Sequence, residues 1–388
     1  MDFWTILTYT DIIIFVFVAL TVLYLGIFAF TSMFARHSET PKAKNQNRFI
    51  ILIPSNRSGK SVEMTVNSIL GQTYPQRLFD VTVIADHEDE ITMFHLAQQP
   101  ITLLTPINGK NTRTKSLQLA INNLPQFKIY DVVIILDAGD VVEPEFLEQM
   151  NDAYESAGTK AIQAHKVSLN RDTVSARLSA IFEEINNSIF RRGHISVGLS
   201  AAMASSGMVF NFEWFKQHIL AAKINWADKE LEALLLRHHI YVDYFDKILV
   251  YGEKARQAEE FNRQHRNWII TQWRAVLRNL RYLPQAILQR HYDMIDKLLQ
   301  WMILPRMVMM VIILFMCITT PFIYFTMAIK WWALFAIVLF IFAMATPNYL
   351  VDDKWDSTFF KIPIVLMSSI LHKFKLGRKI TEAVDLKK

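Results

Sequence analysis

The chain has 388 residues, of which 52% are hydrophobic, and its formal net charge is +5. Its single cysteine, Cys317, excludes a disulfide bond within the chain and argues against a cysteine-based metal site. The length allows a complete catalytic domain together with membrane segments, and the positive mean hydropathy favours a membrane protein.

The first feature along the chain is an apolar run from Ile12 to Phe34, long enough to cross a bilayer as a helix. A signal peptide is the alternative, but no Lys or Arg precedes the run and no clean cleavage site follows it. Basic residues come directly afterwards in a polar linker: Arg36, His37, Lys42, Lys44 and Arg48. The positive-inside rule therefore predicts an N-terminus outside and a cytoplasmic domain after residue 35.

Predicted strands and helices then alternate along the chain. Short apolar runs predict strands at 49–54, 81–86 and 101–104, and helical spacing predicts helices at 61–70 and 114–122. This alternation is typical of a mostly parallel, Rossmann-like α/β sheet. The first strand is not followed by a G-x-G-x-x-G fingerprint, which makes nicotinamide binding a weak interpretation.

The central stretch, 131–140, is a buried apolar strand that leads into two carboxylates, Asp137 and Asp140. Open α/β sheets bind ligands at the carboxyl ends of their strands. Two acidic side chains there are suited to holding a divalent cation, which can neutralise a diphosphate. An ordinary turn or helix cap is the alternative, and this stretch alone leaves both interpretations open.

The following segment predicts a strand at 161–165, an amphipathic helix at 175–192 and a stretch rich in small residues at 193–209. Small residues let a backbone approach a ligand closely, although ordinary turns have the same composition. A further helix is predicted at 223–236, with Asp228 near its start. Asp228 therefore has two interpretations, a helix cap or a catalytic carboxylate.

The C-terminal third predicts contact with a membrane. Residues 268–306 combine Trp, Leu and Ile with many Arg side chains, as in helices that lie on an anionic leaflet; a soluble helix pair is the alternative, and nucleic-acid binding is a weak one. The runs 307–329 and 331–350 predict a membrane hairpin that turns at Lys330. The run 359–371 is too short to span comfortably and is predicted to lie in the interface.

Taken in order, these features resemble the inverting membrane glycosyltransferases of family two. These have a GT-A fold and are related to the synthases of cellulose, hyaluronan and poly-N-acetylglucosamine and to ceramide glucosyltransferase. The resemblance covers about Phe49 to Trp268. It rests on Ile53-Pro54-Ser55, Asp86, Asp137-Ala138-Gly139-Asp140, and Asp228 followed by Glu253, Gln264 and Trp268.

The resemblance implies a role for each of these residues. It implies that Asp228 is the general base and that Mg²⁺ or Mn²⁺ is held by Asp137 and Asp140. The nucleotide sugar would be bound by Pro54, Asp86, Lys110 and Asp137. The motif at 264–268 would serve the acceptor and diphosphate through Gln264, Arg266 and Trp268, with Trp268 stacked on the acceptor sugar.

Three departures from the family pattern stand out. Gly139 replaces the third Asp of D-x-D, Asn56-Arg57-Ser58 replaces the usual Asn-Glu, and Asn267 replaces the Arg of Q-x-x-R-W, next to Arg266. These changes admit a second hypothesis, a non-catalytic membrane subunit that binds a nucleotide sugar or a partner synthase.

The sequence thus predicts a membrane-bound α/β GT-A enzyme of the inner or plasma membrane with transmembrane and interfacial helices. It would move sugar from a nucleotide donor, expected to be a UDP-sugar, to a glycan or lipid-linked acceptor in polysaccharide biosynthesis. An export partner is conceivable and nucleic acid is not expected. The predicted segments are a membrane helix (1–35), the catalytic domain (36–267), interfacial helices (268–306), a membrane hairpin (307–350) and a tail (351–388).

Overall fold

A computed structural model describes residues 3–35, 40–106, 112–222, 227–254 and 258–350. The side chains of Phe3, Ala227, residues 258–265, 267 and 268 lie outside that description. The predicted interfacial run 359–371 also lies outside the described residues.

One eight-stranded sheet forms the centre of the α/β part of the chain. Its strands are β1 (Phe49–Asn56), β2 (Phe79–Asp86), β3 (Thr102–Leu104), β4 (Val132–Ile135), β5 (Asp140–Val142), β6 (Ala161–Ser168), β7 (Met208–Asn211) and β8 (Val242–Gly252). The spatial order is β3-β2-β1-β4-β7-β6-β8-β5. Pairing is parallel in β1·β2, β1·β4, β2·β3 and β6·β8 and antiparallel elsewhere, which confirms the predicted mostly parallel α/β fold.

Helices cover both faces of this sheet and extend beyond it. They are α1 (Phe3–Ser32), α2 (Lys60–Leu70), α3 (Glu90–Ala97), α4 (Arg113–Asn122), α5 (Phe146–Ala157), α6 (Val174–Asn186), α7 (Gly193–Ser196), α8 (Phe212–Ala221), α9 (Ala227–Arg237), α10 (Ala258–Asn279), α11 (Leu283–Leu288), α12 (Tyr292–Met302), α13 (Arg306–Thr319) and α14 (Phe325–Ala345). Residues of β1 and β4 alternate between two apolar cores: Ile51 and Ile134 belong to one, Leu52 and Val133 to the other. Burial on both faces explains why these strands are continuous apolar runs.

The structure corrects the predicted strand at 131–140. β4 ends at Ile135, the chain turns through Gly139 at φ +97°, and Asp140 begins the separate edge strand β5, paired with β8. A positive φ is easy only for glycine. Asp140 is therefore not at the end of the central strand, and its side chain is buried.

The predicted helix at 175–192 is α6 followed by a π-helical turn at Asn187–Arg192. Strands β7 and β8 were not predicted. The predicted domain boundary at residue 268 falls inside α10, so the division into segments stays a proposal.

Two described helices are long and apolar enough to cross a membrane, α1 and α14. The predicted hairpin turn at Lys330 is wrong. The break lies at Thr320–Tyr324, where Pro321 cannot continue a helix, and Lys330 lies inside α14. Helix α13 has only 14 residues, and its neighbour α12 meets it at a bend of 52°.

Helix α1 contacts both the apolar helix α14 and the α/β part of the chain. Asp11 of α1 forms an ion pair with Lys330 and accepts a hydrogen bond of 2.8 Å from Trp331 Nε1 of α14. At the other end of α1, the backbone of Phe28 packs directly on Gly193 of α7. The α/β part of the chain is thereby held close to the α1–α14 pair.

Candidate active site

Three neighbouring parallel strands end at one edge of the sheet. β2 ends with Asp86, opposite Asn56 at the end of β1, and Asp137 follows β4. Asp86 is buried and receives a 2.6 Å hydrogen bond from Asn56 Nδ2, while His87 Nδ1 lies 2.7 Å from its other oxygen. The parallel pairing therefore gathers the predicted acidic residues at the edge where such sheets bind ligands.

A single guanidinium joins two of the predicted carboxylates. Arg113, the first residue of α4, forms an ion pair through Nη1 with Asp137 Oδ1, and its Nε donates to Asp228 Oδ1 at 3.1 Å. Its third nitrogen, Nη2, donates to the carbonyl of Ser205. About a quarter of each aspartate side chain remains exposed. Residues far apart in the sequence thus converge on one solvent-accessible cleft.

A second cation, Lys166 of β6, lies on the other side of Asp137. Its Nζ is 3.3 Å from Asp137 Oδ2 and 3.1 Å from Asp140 Oδ2. Ser205 Oγ also donates to Asp137 Oδ2, at 2.6 Å. Both oxygens of Asp137 are therefore engaged. Carboxylates and cations alternate along the series Asp228, Arg113, Asp137, Lys166 and Asp140.

The surroundings shift the pKa values of Asp137 and Asp228 in opposite directions. Burial raises the pKa of Asp137, but Arg113 and Lys166 outweigh it and the pKa falls well below its usual range. Burial raises the pKa of Asp228 above its ordinary value, and Arg113 only partly opposes this. A raised pKa improves a carboxylate as a proton acceptor, provided that it stays ionised at the working pH.

The loop after β1 is arranged around Glu88. Its carboxylate accepts hydrogen bonds from Ser55 Oγ at 2.5 Å, from the Ser58 amide at 2.8 and 2.9 Å, and from the Gly59 amide at 2.8 Å. The family pattern has an Asn-Glu pair in this loop and this chain does not. Here the acidic group that orders the loop comes from the segment after β2.

The Gly139 departure also has a structural reason. Its amide donates to Thr65 Oγ1 at 2.9 Å, and a Cβ at this position would lie 3.4 Å from the Ser61 Cβ. At φ +97° an aspartate would be strained. The backbone turn that buries Asp140 therefore leaves no easy place for the usual third-position Asp.

The carboxylate oxygens of Asp137 and Asp140 are suitable ligands for a divalent cation, because one oxygen of each already points at the same positive charge, Lys166 Nζ. Within the described ranges, no three His, Cys, Asp or Glu side chains are grouped to hold a metal. Mg²⁺ is commonly held by one or two carboxylates plus substrate phosphates and water. An ion between Asp137 and Asp140 would need such additional ligands.

The structure gives less information about the other predicted site residues. Pro54 lies within β1 beside Ile84 of β2. Lys110 lies outside the described residues. Gln264, Arg266 and Trp268 are all on α10; Arg266 is exposed, and the side chains of the other two are not described. Their roles at the acceptor remain predictions.

Arg113 and Lys166 were missed from the sequence. Lys166 had one weak signal, a charge directly after the predicted strand 161–165. Arg113 had no signal beyond its place at a helix start, where Thr112 accepts from the Lys115 amide as a cap. Their significance follows from the sheet order, which brings β6 near β4 through β7.

The sheet and the acidic cleft are those of a GT-A α/β domain, and comparison with known families identifies the chain more closely. The model of glycosyltransferase-like family 2 matches residues 46–271. This is more than half of the chain, so the protein belongs to that family and is a glycosyltransferase. The narrower subfamily expected from the sequence stays a proposal. No curated protein sequence matches this chain.

One solved structure supports the fold, and a second is less similar. The mannosyltransferase PcManGT from Pyrobaculum calidifontis, in complex with GDP-Man and Mn²⁺, is 12% identical with a TM-score of 0.53, over 83% of this chain and 96% of that one. S. aureus TarS 1–349 in complex with UDP-GlcNAc is 13% identical with a TM-score of 0.42, over 88% and 92% of the two chains. At 12% identity the likeness to the mannosyltransferase concerns the fold alone, and the likeness to TarS is weaker.

Proposed function

We propose that this protein transfers a sugar from a nucleoside diphosphate donor to a glycan or lipid-linked acceptor, with inversion at the anomeric carbon and Asp228 as general base. The observation that carries the proposal is the bridge of Arg113 between Asp137 and Asp228 at the carboxyl edge of the sheet. Asp228 is partly exposed and its pKa is raised by burial, which supports a role as base next to the proposed donor site.

The proposed reaction is a single displacement. The acceptor oxygen attacks the anomeric carbon as the bond to the diphosphate oxygen breaks, and Asp228 takes the proton of the acceptor hydroxyl. One displacement inverts the anomeric centre, so an α-linked donor gives a β-linked product. Asp228 lies in the first turn of α9, where the helix dipole favours the ionised carboxylate.

Arg113 and Lys166 are the two described cations that pair with Asp137, beside which the diphosphate is proposed to bind. Both remain protonated at neutral pH, because Asp137 and its acidic neighbours raise their pKa values despite burial. They would stabilise the negative charge that develops on the leaving diphosphate. A divalent cation, Mg²⁺ or Mn²⁺, would be held by Asp137 and Asp140 and would supply further charge neutralisation.

The donor would extend towards Asp86, whose buried carboxylate is suited to the base or ribose. We expect a UDP-sugar from the sequence resemblance. A GDP-sugar is the alternative donor to test, since a mannosyltransferase of similar fold was solved with GDP-Man. Asn56 and His87 already orient the Asp86 carboxylate.

We further propose that α1, α13 and α14 cross the inner or plasma membrane and that the catalytic domain is cytoplasmic, with the N-terminus outside. Asp11 of α1 pairs with Lys330 of α14, and Gly26 of α1 lies against Ile341 further along α14, so these two helices run in the same direction and α13 must cross between them. Helices α10 to α12 would lie in the interface. Large apolar side chains are exposed there, including Leu277, Leu288 and Tyr292, next to a series of arginines. This composition suits an anionic leaflet and would place the cleft near a membrane-borne acceptor.

A non-catalytic subunit remains the second candidate, because Gly139 removes one expected acid and both oxygens of Asp137 are already paired. Nucleoside diphosphate release separates the two. The purified full chain in lipid nanodiscs with Mn²⁺ should release UDP or GDP from at least one member of a donor panel when lipid extract supplies acceptors. Nucleotide binding without release from any donor would instead support the subunit.

A further inference from the structure

Lys166 occupies the position between the two proposed metal ligands. Its Nζ lies 3.3 Å from Asp137 Oδ2 and 3.1 Å from Asp140 Oδ2, and only 12% of its side chain is exposed. The Asp140 side chain is 4% exposed. One ammonium is therefore shared between two carboxylates and is itself largely shielded from water.

The surrounding backbone leaves room for this arrangement. Gly252 of β8 lies opposite Asp140 of β5, and a Cβ there would come within 2.7 Å of Lys166 Cε and 2.8 Å of Asp140 Oδ1. Any larger residue would force the lysine stem or the carboxylate to shift. The sequence at 252 is thus compatible with Lys166 lying against Asp140.

The charge balance of the cleft indicates what this ammonium does. Asp137, Asp140 and Asp228 carry three negative charges when ionised, and Arg113 and Lys166 carry two positive charges, so the group has one net negative charge. A divalent ion alone would change this to one positive charge, and a diphosphate with two negative charges alone would change it to three negative. Both together restore the original balance.

The number of side chains available to a metal ion also indicates that metal and diphosphate bind together. Asp137 and Asp140 offer two carboxylates, and within the described residues no third acidic, His or Cys side chain completes a metal group. An ion in this space would compete with Lys166 and would need phosphate oxygens to fill its coordination sphere. A nucleoside diphosphate supplies those oxygens and also a new anionic partner for the displaced ammonium.

We propose that Lys166 is an internal counter-cation that excludes free divalent ions from Asp137 and Asp140, so that metal binds together with the nucleotide diphosphate and Lys166 then pairs with that diphosphate. This inference rests on the proposed function and deepens it. It makes Lys166 a positioning residue that couples two ligands, and such coupling is reciprocal: nucleotide strengthens metal binding by the factor with which metal strengthens nucleotide binding.

The test is Mn²⁺ titration of the purified full chain, followed by electron paramagnetic resonance, with and without UDP or GDP. Without nucleotide, Lys166→Met should bind Mn²⁺ at least about tenfold more tightly than wild type, and the strengthening of Mn²⁺ binding by nucleotide should shrink accordingly. Lys166→Arg, which keeps the charge, should remain close to wild type. Lys166→Gln replaces the methionine variant if that protein does not fold.

Lys254→Met is the matched control. Lys254 is equally exposed, at 12%, and its Nζ lies 3.2 Å from Glu183, outside the Asp137–Asp140 pair. Its loss should leave Mn²⁺ affinity unchanged. Equal Mn²⁺ affinities in wild type and Lys166→Met without nucleotide, including binding by neither, would overturn the inference. Failure of wild type to bind either nucleotide in the presence of Mn²⁺ would instead overturn the proposed function. The two outcomes are distinguishable, because wild type and Lys166→Met are compared without nucleotide.

Discussion

Asp228 and Glu232 lie one turn apart on α9, yet they have opposite environments. Asp228 faces the cleft with about a quarter of its side chain exposed, and its ion-pair partner, Arg113, also pairs with Asp137. Glu232 is fully buried, 2.6 Å from Lys229 and 3.3 Å from Lys297. Burial raises the pKa of Asp228, whereas at Glu232 the two lysines outweigh burial and lower the pKa.

This contrast separates a carboxylate suited to chemistry from one that holds helices together. Glu232 also accepts a hydrogen bond from the Met203 amide at 3.1 Å, and Lys297 belongs to α12. Glu232 thus fixes α9 to its neighbours and presents a fixed charge. Among the described residues, Asp228 is held at one oxygen only, and it keeps access to solvent, as a base that must reach a substrate hydroxyl requires.

The largest expected effect is on turnover. Asp228→Asn should lower sugar transfer by about 10² to 10⁴-fold, because an amide cannot accept the acceptor proton. Nucleotide binding and melting temperature should stay near wild type. The matched control is Glu230→Gln, two residues along the same helix and outside the cleft contacts, which should keep its activity. Turnover within a few fold of wild type in Asp228→Asn would remove this residue from the chemistry.

The next effect is on stability. Glu232→Gln leaves Lys229 and the buried Lys297 without their carboxylate, a change that costs about 3 to 5 kcal/mol in buried pairs. Thermal melting of the full chain in detergent should show a fall of roughly 5 to 15 °C. Asp228→Asn, measured in parallel, should change the melting temperature far less. Similar falls in both variants would mean that the two carboxylates do not differ as described.

Much of this arrangement could be predicted from the sequence, and its gaps have physical causes. Apolar runs predicted β1, β2 and β4, and parallel pairing then placed Asp86 and Asp137 at one edge without further information. The partners of Asp137 could not be predicted, because Arg113 and Lys166 reach it only through the order β4-β7-β6 and the start of α4. Composition placed a turn at Lys330, since it could not reveal the partner Asp11 that stabilises this lysine inside α14.

A smaller effect concerns the pH dependence of transfer. Arg113 opposes the rise in the pKa of Asp228 caused by burial. Removing this cation in Arg113→Met should raise the pKa further, so the base becomes protonated at higher pH. The acid limb of kcat should then move upward by about one pH unit or more, the usual influence of an adjacent opposite charge.

The control for that shift is Lys128→Met, which removes a cation paired with Asp80 at 2.7 Å near the start of β2. Its acid limb should coincide with that of wild type. An acid limb that stays in place, or moves to lower pH, in Arg113→Met would show that this guanidinium does not set the protonation of the base. A rise in KM alone would assign Arg113 to donor binding.

The smallest expected effect comes from the second cation of Glu232. Lys297 is 1% exposed, and its Nζ makes no hydrogen bond among the described residues, although it lies 3.3 Å from Glu232. Lys297→Met keeps the length of the side chain, removes a buried charge and leaves Glu232 paired with Lys229. Replacing a buried charge by an apolar group of similar size is often neutral or stabilising. The melting temperature of Lys297→Met should differ from that of wild type by no more than about 3 °C in either direction. A fall as large as that of Glu232→Gln would show instead that Glu232 depends on both lysines and that Lys229 alone cannot neutralise it.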